Sequence, residues 1–157
     1  MHNCMFMVKC ELHRAMKSIL IINGPNLNLL GTRETHIYGD RSLDRIIQDL
    51  RDEFPSTLLE HVRSDHEGAI VEAIHGARGS QEGIVINAGG YSHTSVAIRD
   101  ALAAVQVPAV EVHLSNLLTR EPFRHVSIIG GVCAGSIMGF GARGYSLAIR
   151  YLLDRSA

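Results

Sequence analysis

The sequence predicts an α/β protein, a five-stranded parallel sheet covered by helices on both faces. Three observations carry this expectation. Short apolar runs alternate with amphipathic stretches of helical period from residue 18 to residue 154. The runs are apolar on both faces, as in strands buried between two helical layers. The chain has 157 residues, 46% of them apolar, enough for one domain with a real core.

Taken in order, "SILII" (18–22) reads as a buried strand ending at Asn-Gly-Pro. "SLDRIIQDLRDEF" (42–54) puts Leu43, Ile46, Ile47, Leu50 and Phe54 on one helical face, with Ser42 as N-cap and Pro55 as the stop. "TLLEHVRS" (57–64) is a second strand and "EGAIVEAIHGA" (67–77) a second helix. "GIVINAGG" (83–90) is a third strand running into glycines. "TSVAIRDALAAV" (94–105) is a helix capped by Ser92 or Thr94. "PAVEVHL" (108–114) is a fourth strand, and "HVSIIGGVCAG" (125–135) holds a short strand and a glycine-rich turn. "GYSLAIRYLLD" (144–154) is the closing helix. Five strands and about five helices joined by right-handed crossovers make a flavodoxin-like, doubly wound three-layer α/β/α sandwich. The catalytic-size domain is expected over 17–157. Residues 1–16 are expected to be an N-terminal extension, disordered or preceding a natural start at Met16.

Composition excludes several function classes. A net charge of -1 argues against a general nucleic-acid surface, and 5% aromatic residues with no Trp argue against base-stacking platforms. No apolar run reaches the ~18–20 residues that cross a bilayer. Three unpaired cysteines, Cys4, Cys10 and Cys133, read as reduced thiols of a cytoplasmic protein rather than a disulfide framework or a zinc site.

In open α/β sheets ligands bind beyond the carboxyl ends of the strands. Strand one ends at Asn23-Gly24-Pro25-Asn26, strand three at Asn87-Ala88-Gly89-Gly90, and strand four at His113-Leu114-Ser115-Asn116. A glycine-bounded polar loop with Arg33 and Tyr38 leaves the first of these ends. Asn26, Arg33, Tyr38, Asn87, His93, His113 and Ser115 should therefore meet in one crevice. Tyrosine is a poor base at its usual pKa of about 10, and a nearby guanidinium lowers that value. Tyr38 beside Arg33 could thus take a proton alpha to a carbonyl, and His113 could protonate a leaving group. Glu111 lies two residues before His113, on the same strand face, where a carboxylate orients the imidazole.

"GPNLNLLGTRETHIYG", "INAGGYSHTSVAIRDAL" and "EVHLSNLLTREPFRH" together resemble the three motifs of type II 3-dehydroquinate dehydratase, over residues 18 to 153. The resemblance implies trans elimination of water from 3-dehydroquinate through an enolate, the third step of the shikimate pathway, with neither metal nor organic cofactor. It implies Tyr38 as proton acceptor, His113 as proton donor, Arg33 as transition-state stabiliser, and Asn26 holding a water at the enolate oxygen. Asn87, His93, Leu114, Ser115 and Arg124 would bind substrate, and Asp100 would reach a neighbouring subunit's site. A homododecamer of trimers is implied as well. Lys9 and Lys17 are the only lysines and lie outside the motifs, which agrees with a route lacking an imine. The sequence departs from the family pattern at Thr35, where a proline is usual, and a looser lid with Gly31 and Gly39 as hinges is expected.

Two other features lead elsewhere. "GFGARG" (139–144) fits a dinucleotide-binding glycine pattern, but too little chain follows it for the second strand of such a site, so a helix start packed on the sheet is expected. His66 and His75, nine apart, match no zinc spacing, and His61, His66 and His75 are expected at the surface. A flavodoxin-like binding module without catalysis is the competing function, and quinate breakdown would use the same chemistry.

Overall fold

A computed structural model describes residues 16–32 and 41–155. Residues 1–15 of the expected extension and the stretch carrying Arg33, Tyr38 and Gly39 lie outside the described residues. The elements are β1 (Lys17–Asn23), α1 (Leu43–Glu53), β2 (Thr57–Arg63), α2 (Glu67–Gly76), β3 (Gly83–Asn87), α3 (Val96–Val105), β4 (Ala109–His113), β5 (Gly135–Met138) and α4 (Arg143–Arg155).

The five strands pair in the order β2-β1-β3-β4-β5, all parallel. Every residue of β3 and β4 is buried. Alternate side chains of β1 enter two separate cores. Ile19 and Ile21 join Ile46, Leu50, Tyr145 and Ile149 under α1 and α4. Leu20 and Ile22 join Ile70, Ile74, Ile98 and Leu102 under α2 and α3. Helices therefore cover both faces, and the fold is the flavodoxin-like sandwich that the alternation predicts. The chain leaves β1 for one face and β3 for the other, so a crevice opens between their carboxyl ends.

Local signals held where side chains cap or pack. The Ser42 hydroxyl caps α1 by accepting from the Arg45 N–H at 3.3 Å, and all five expected apolar residues of that stretch are buried. Three expectations need correction. The cap of α3 is Ser95, whose hydroxyl accepts from the Ile98 N–H at 2.9 Å, not Ser92 or Thr94; those two lie in the 3-10 turn Gly89–His93 or just after it. The fifth strand is Gly135–Met138, later than expected. Residues 125–134 instead form turns, and Ile129 is buried in the core without strand pairing. His61 is half-buried and accepts from the Asn23 amide at 3.1 Å, whereas His66 and His75 are exposed as expected. As expected, the GFGARG stretch ends in a helix start, with Gly144 buried in the first turn of α4 against Val112.

Gly24 closes the sheet where the site begins. Its N–H donates to the Asn87 carbonyl at 2.8 Å, and a Cβ there would lie 2.4 Å from the Ala88 carbonyl oxygen. Gly24→Ala should therefore force β1 and β3 apart and cost about 1–3 kcal/mol, the usual scale of overpacking. A lowered thermal midpoint checks this; an unchanged one would show that the two strand ends part freely.

Candidate active site

A crevice of about 150 Å³ lies across the carboxyl ends of β1, β3 and β4. A larger groove of about 480 Å³ between α1 and α4 carries no such convergence of hydrogen-bonding groups from several strand ends, so size does not locate the site. Asn26, Asn87, His93, His113, Leu114, Ser115 and Arg124 all line the crevice. Topology thus unites the described members of the set expected from the strand ends. Arg33 and Tyr38 lie outside the described residues. Asp100 does not line the crevice; it sits exposed on α3, paired with Arg99 at 2.9 Å.

Asn26 holds a left-handed backbone, φ 68°, which asparagine tolerates better than most residues. Its N–H lies 3.4 Å from Asp65 Oδ1. Arg63 braces this turn by donating to Asp65 Oδ2 at 2.5 Å and Asn28 Oδ1 at 2.7 Å. The Tyr91 hydroxyl donates to the Asp65 carbonyl at 2.9 Å. The turn bearing Asn26 is thereby tied to the one bearing His93.

Asn87 is fixed by a buried polar chain. Its amide donates to the Tyr145 hydroxyl at 3.0 Å, and the Tyr145 hydroxyl donates in turn to Asn23 Oδ1. The Gly89 N–H donates to Asn87 Oδ1 at 3.3 Å. One amide hydrogen of Asn87 is then left for a ligand. Burial raises the Tyr145 pKa, so this phenol stays neutral. At the far end the His61 pKa is lowered, first by burial and then by Arg51, which suits an imidazole that accepts from Asn23.

His93 places Nδ1 2.8 Å from the Val126 carbonyl. A carbonyl only accepts, so Nδ1 carries a proton and Nε2 is left to face the crevice. Its ring stacks on that of His113 at 6.1 Å and 21°. His113 is 5% exposed and Glu111 0%. His113 Nε2 and Glu111 Oε1 are 2.8 Å apart. Burial pushes the Glu111 pKa up, and His113 together with two serine hydroxyls more than offsets it, leaving the carboxyl below its usual value. The carboxylate expected to orient His113 therefore lies within ion-pair distance of its ring.

Across the crevice Ser115 Oγ accepts from Arg120 at 3.3 Å. Arg124 donates to Glu121 at 2.8 Å, with its guanidinium 5.0 Å over the Phe123 ring. Two guanidinium groups at one rim suit an anionic ligand. Sequence reasoning named Arg124 and missed Arg120, although both stand four residues apart in one motif. It also missed Tyr145, Asn23, Arg63 and Asp65, which support the crevice from other elements and show only once the chain is folded. Among the described residues no group of His, Cys, Asp and Glu is arranged to hold a metal ion.

The chain matches the family model described as "Dehydroquinase class II" over residues 17–153. It is 48% identical over 142 residues to the 3-dehydroquinate dehydratase of Bacillus cytotoxicus, covering 89% of this chain and 97% of that one. It is 54% identical over 138 residues to the catabolic 3-dehydroquinase of Aspergillus clavatus, covering 87% and 92% respectively. The crystal structure of a type II dehydroquinase from Butyrivibrio crossotus superposes with a TM-score of 0.85 at 46% identity, covering 87% of this chain and 97% of that one.

The lowered pKa of Glu111 sets a pH dependence of stability. The stabilisation is present above the unfolded carboxyl pKa and is lost as pH falls through the lower folded value. Glu111→Gln should cost about 3 kcal/mol near neutral pH by leaving His113 without its partner. Denaturant unfolding of both proteins should show that gap closing below the folded pKa; a gap independent of pH would show that Glu111 acts only by packing.

Proposed function

The chain belongs to the class II dehydroquinase family, and on that premise we propose that it is a 3-dehydroquinate dehydratase eliminating water in the trans sense through an enolate. The observation that carries this reading is the buried Glu111–His113 pair, 2.8 Å apart, on the wall of a crevice whose other side is cationic. It supplies a proton donor next to a site for a carboxylate ligand, which is what β-elimination from a hydroxylated keto acid requires.

Tyr38, activated by Arg33, removes the axial alpha proton. The electrons move into an enolate, whose oxygen is held through a water on Asn26. His113 then protonates the departing hydroxyl, the carbon–oxygen bond breaks, and water and 3-dehydroshikimate remain. The left-handed turn at Asn26 supports its part, because that conformation places it in the crevice lining. Asn87 and His93, each with one polar position not used by the described protein partners, suit ring hydroxyls. Leu114 and Ser115 hold the carboxylate at the end of β4. Arg124 contacts a ring hydroxyl. Asp100, exposed and away from its own crevice, suits a contact with a neighbouring subunit. Arg33 and Tyr38 stand on a lid that closes over the substrate, hinged at Gly31, whose φ is 82°, and at Gly39.

We place the reaction in the shikimate pathway and the protein in the cytoplasm; no helix among the described residues is long and apolar enough to cross a membrane. Quinate breakdown would run the same chemistry, and the Aspergillus clavatus relative bears a catabolic name. The assembly is a dodecamer built from trimers.

Purified protein mixed with 3-dehydroquinate should produce the ultraviolet absorbance of a conjugated enone, undiminished by borohydride. Tyr38→Phe should keep the fold and lose turnover by about 10²-fold or more, the scale of a lost general base. No enone from folded protein would remove the dehydratase reading in favour of a binding module, and near-normal Tyr38→Phe activity would remove that residue from the mechanism. Sedimentation should show twelve chains in one particle; a monomer alone would sink the assembly.

A further inference from the structure

Glu111 has a serine hydroxyl on each oxygen. Ser127 donates to Oε1 at 2.6 Å, and Ser136 donates to Oε2 at 2.7 Å. Ser136 lies on β5 as the direct register neighbour of Glu111 on β4. The orientation of Ser127 is set from the other side. Gly130 donates its N–H to the Ser127 oxygen at 3.0 Å, so the hydroxyl hydrogen is free to be given. Its alternative acceptor, the Ser92 carbonyl, is farther away at 3.4 Å. Gly130 also seals the carboxylate in: a Cβ there would lie 2.7 Å from Glu111 Oε2 and 3.0 Å from Ser136 Oγ.

An ionised carboxylate only accepts, whereas a carboxylic acid must donate once. A proton placed on Oε1 or Oε2 competes for room with the hydroxyl hydrogen already pointing there. The two serines therefore favour the ionised carboxylate, and the proton of the pair stays on the imidazole.

We propose that Ser127 and Ser136 are positioning residues that keep Glu111 ionised against His113 Nε2, so that the imidazole holds a second proton, on Nδ1, for the departing hydroxyl. This rests on the reading of His113 as proton donor. In the step the carbon–oxygen bond breaks, its electron pair leaves with oxygen, and the His113 proton completes a water molecule. A neutral imidazole remains beside the Glu111 carboxylate until solvent returns the proton. The other titratable groups around the pair fit this charge state. His93 stacks on His113 with its own Nδ1 proton fixed on Val126. Burial and the Glu111 charge push the Cys133 thiol up to about 12, so it stays neutral. Arg120 and Arg124 belong to the opposite rim.

The test compares Ser136→Ala, Ser127→Ala and Ser136→Thr with the unaltered enzyme, in the pH profile of kcat for 3-dehydroquinate and in thermal unfolding. Each alanine should let Glu111 keep a proton to higher pH. The acid limb should then move up by about one unit, the scale of a lost hydrogen bond to a charged group. On the acid side of the limb kcat should fall about tenfold, as a one-unit change in proton affinity implies, while the neutral plateau and KM change less than about twofold. Ser136→Thr, which keeps a hydroxyl, should restore the profile. Activity lost with unmoved limbs, or a threonine no better than alanine, would overturn the proposal and leave the serines as packing. If Ser127→Ala fails to fold, because Gly130 loses its acceptor, Ser136→Ala carries the test. His113→Ala separates the two claims: full turnover there would remove His113 as donor, while lost turnover there with unmoved serine limbs would remove the serine proposal alone.

Discussion

The close approach of β1 and β3 at their carboxyl ends is the constraint on which the site depends. The Gly24 N–H bonds the Asn87 carbonyl at 2.8 Å, and no side chain fits between residue 24 and the Ala88 backbone. Because the strands meet here and their connections then leave for opposite faces, the backbone has to splay. Asn26 emerges from one strand and Gly89 from the other, and the crevice is the gap between them. Strand pairing thus fixes the spacing of the ligand-facing groups before any of them makes a side-chain contact.

The polar side chains at these strand ends are stabilised in two different ways. The His61–Asn23–Tyr145–Asn87 chain is built of neutral groups, and burial keeps its phenol and imidazole uncharged. Such a chain positions an amide without placing a charge in the core. The Glu111–His113 pair is equally buried, and burial alone would neutralise its carboxylate. Two hydroxyls and an imidazole reverse that outcome. One network fixes an amide with neutral groups and the other holds a charged carboxyl beside an imidazole.

Much of this was legible in the sequence, because apolar period and strand-end position are local properties. Ser42 as the cap of α1, the buried face of that helix, and the meeting of Asn26, Asn87, His93, His113 and Ser115 all followed from spacing. What did not follow depends on pairing between distant segments. Ser136 becomes a partner of Glu111 only through the β4–β5 register. Tyr145 becomes a partner of Asn23 and Asn87 only when α4 lays it against β1 and β3. The fifth strand was expected too early, because Ile128 and Ile129 carry an apolar signal that is satisfied by core packing rather than by a ladder. Ser95 displaced Ser92 and Thr94 as cap because the 3-10 turn after β3 extends through His93.

That turn links the two observations. A helix starting at Ser92 would absorb His93 into its first turn. The 3-10 turn instead leaves His93 able to bond the Val126 carbonyl and to stack on His113. The Ser92 hydroxyl, freed from capping, is buried among the described residues without a hydrogen-bond partner. The Ser92 carbonyl accepts from the Ile128 N–H at 2.9 Å. That bond anchors the segment from which Ser127 reaches Glu111. One late helix start therefore sets both histidines and, through residues 126–128, one of the two hydroxyls that hold the buried carboxylate.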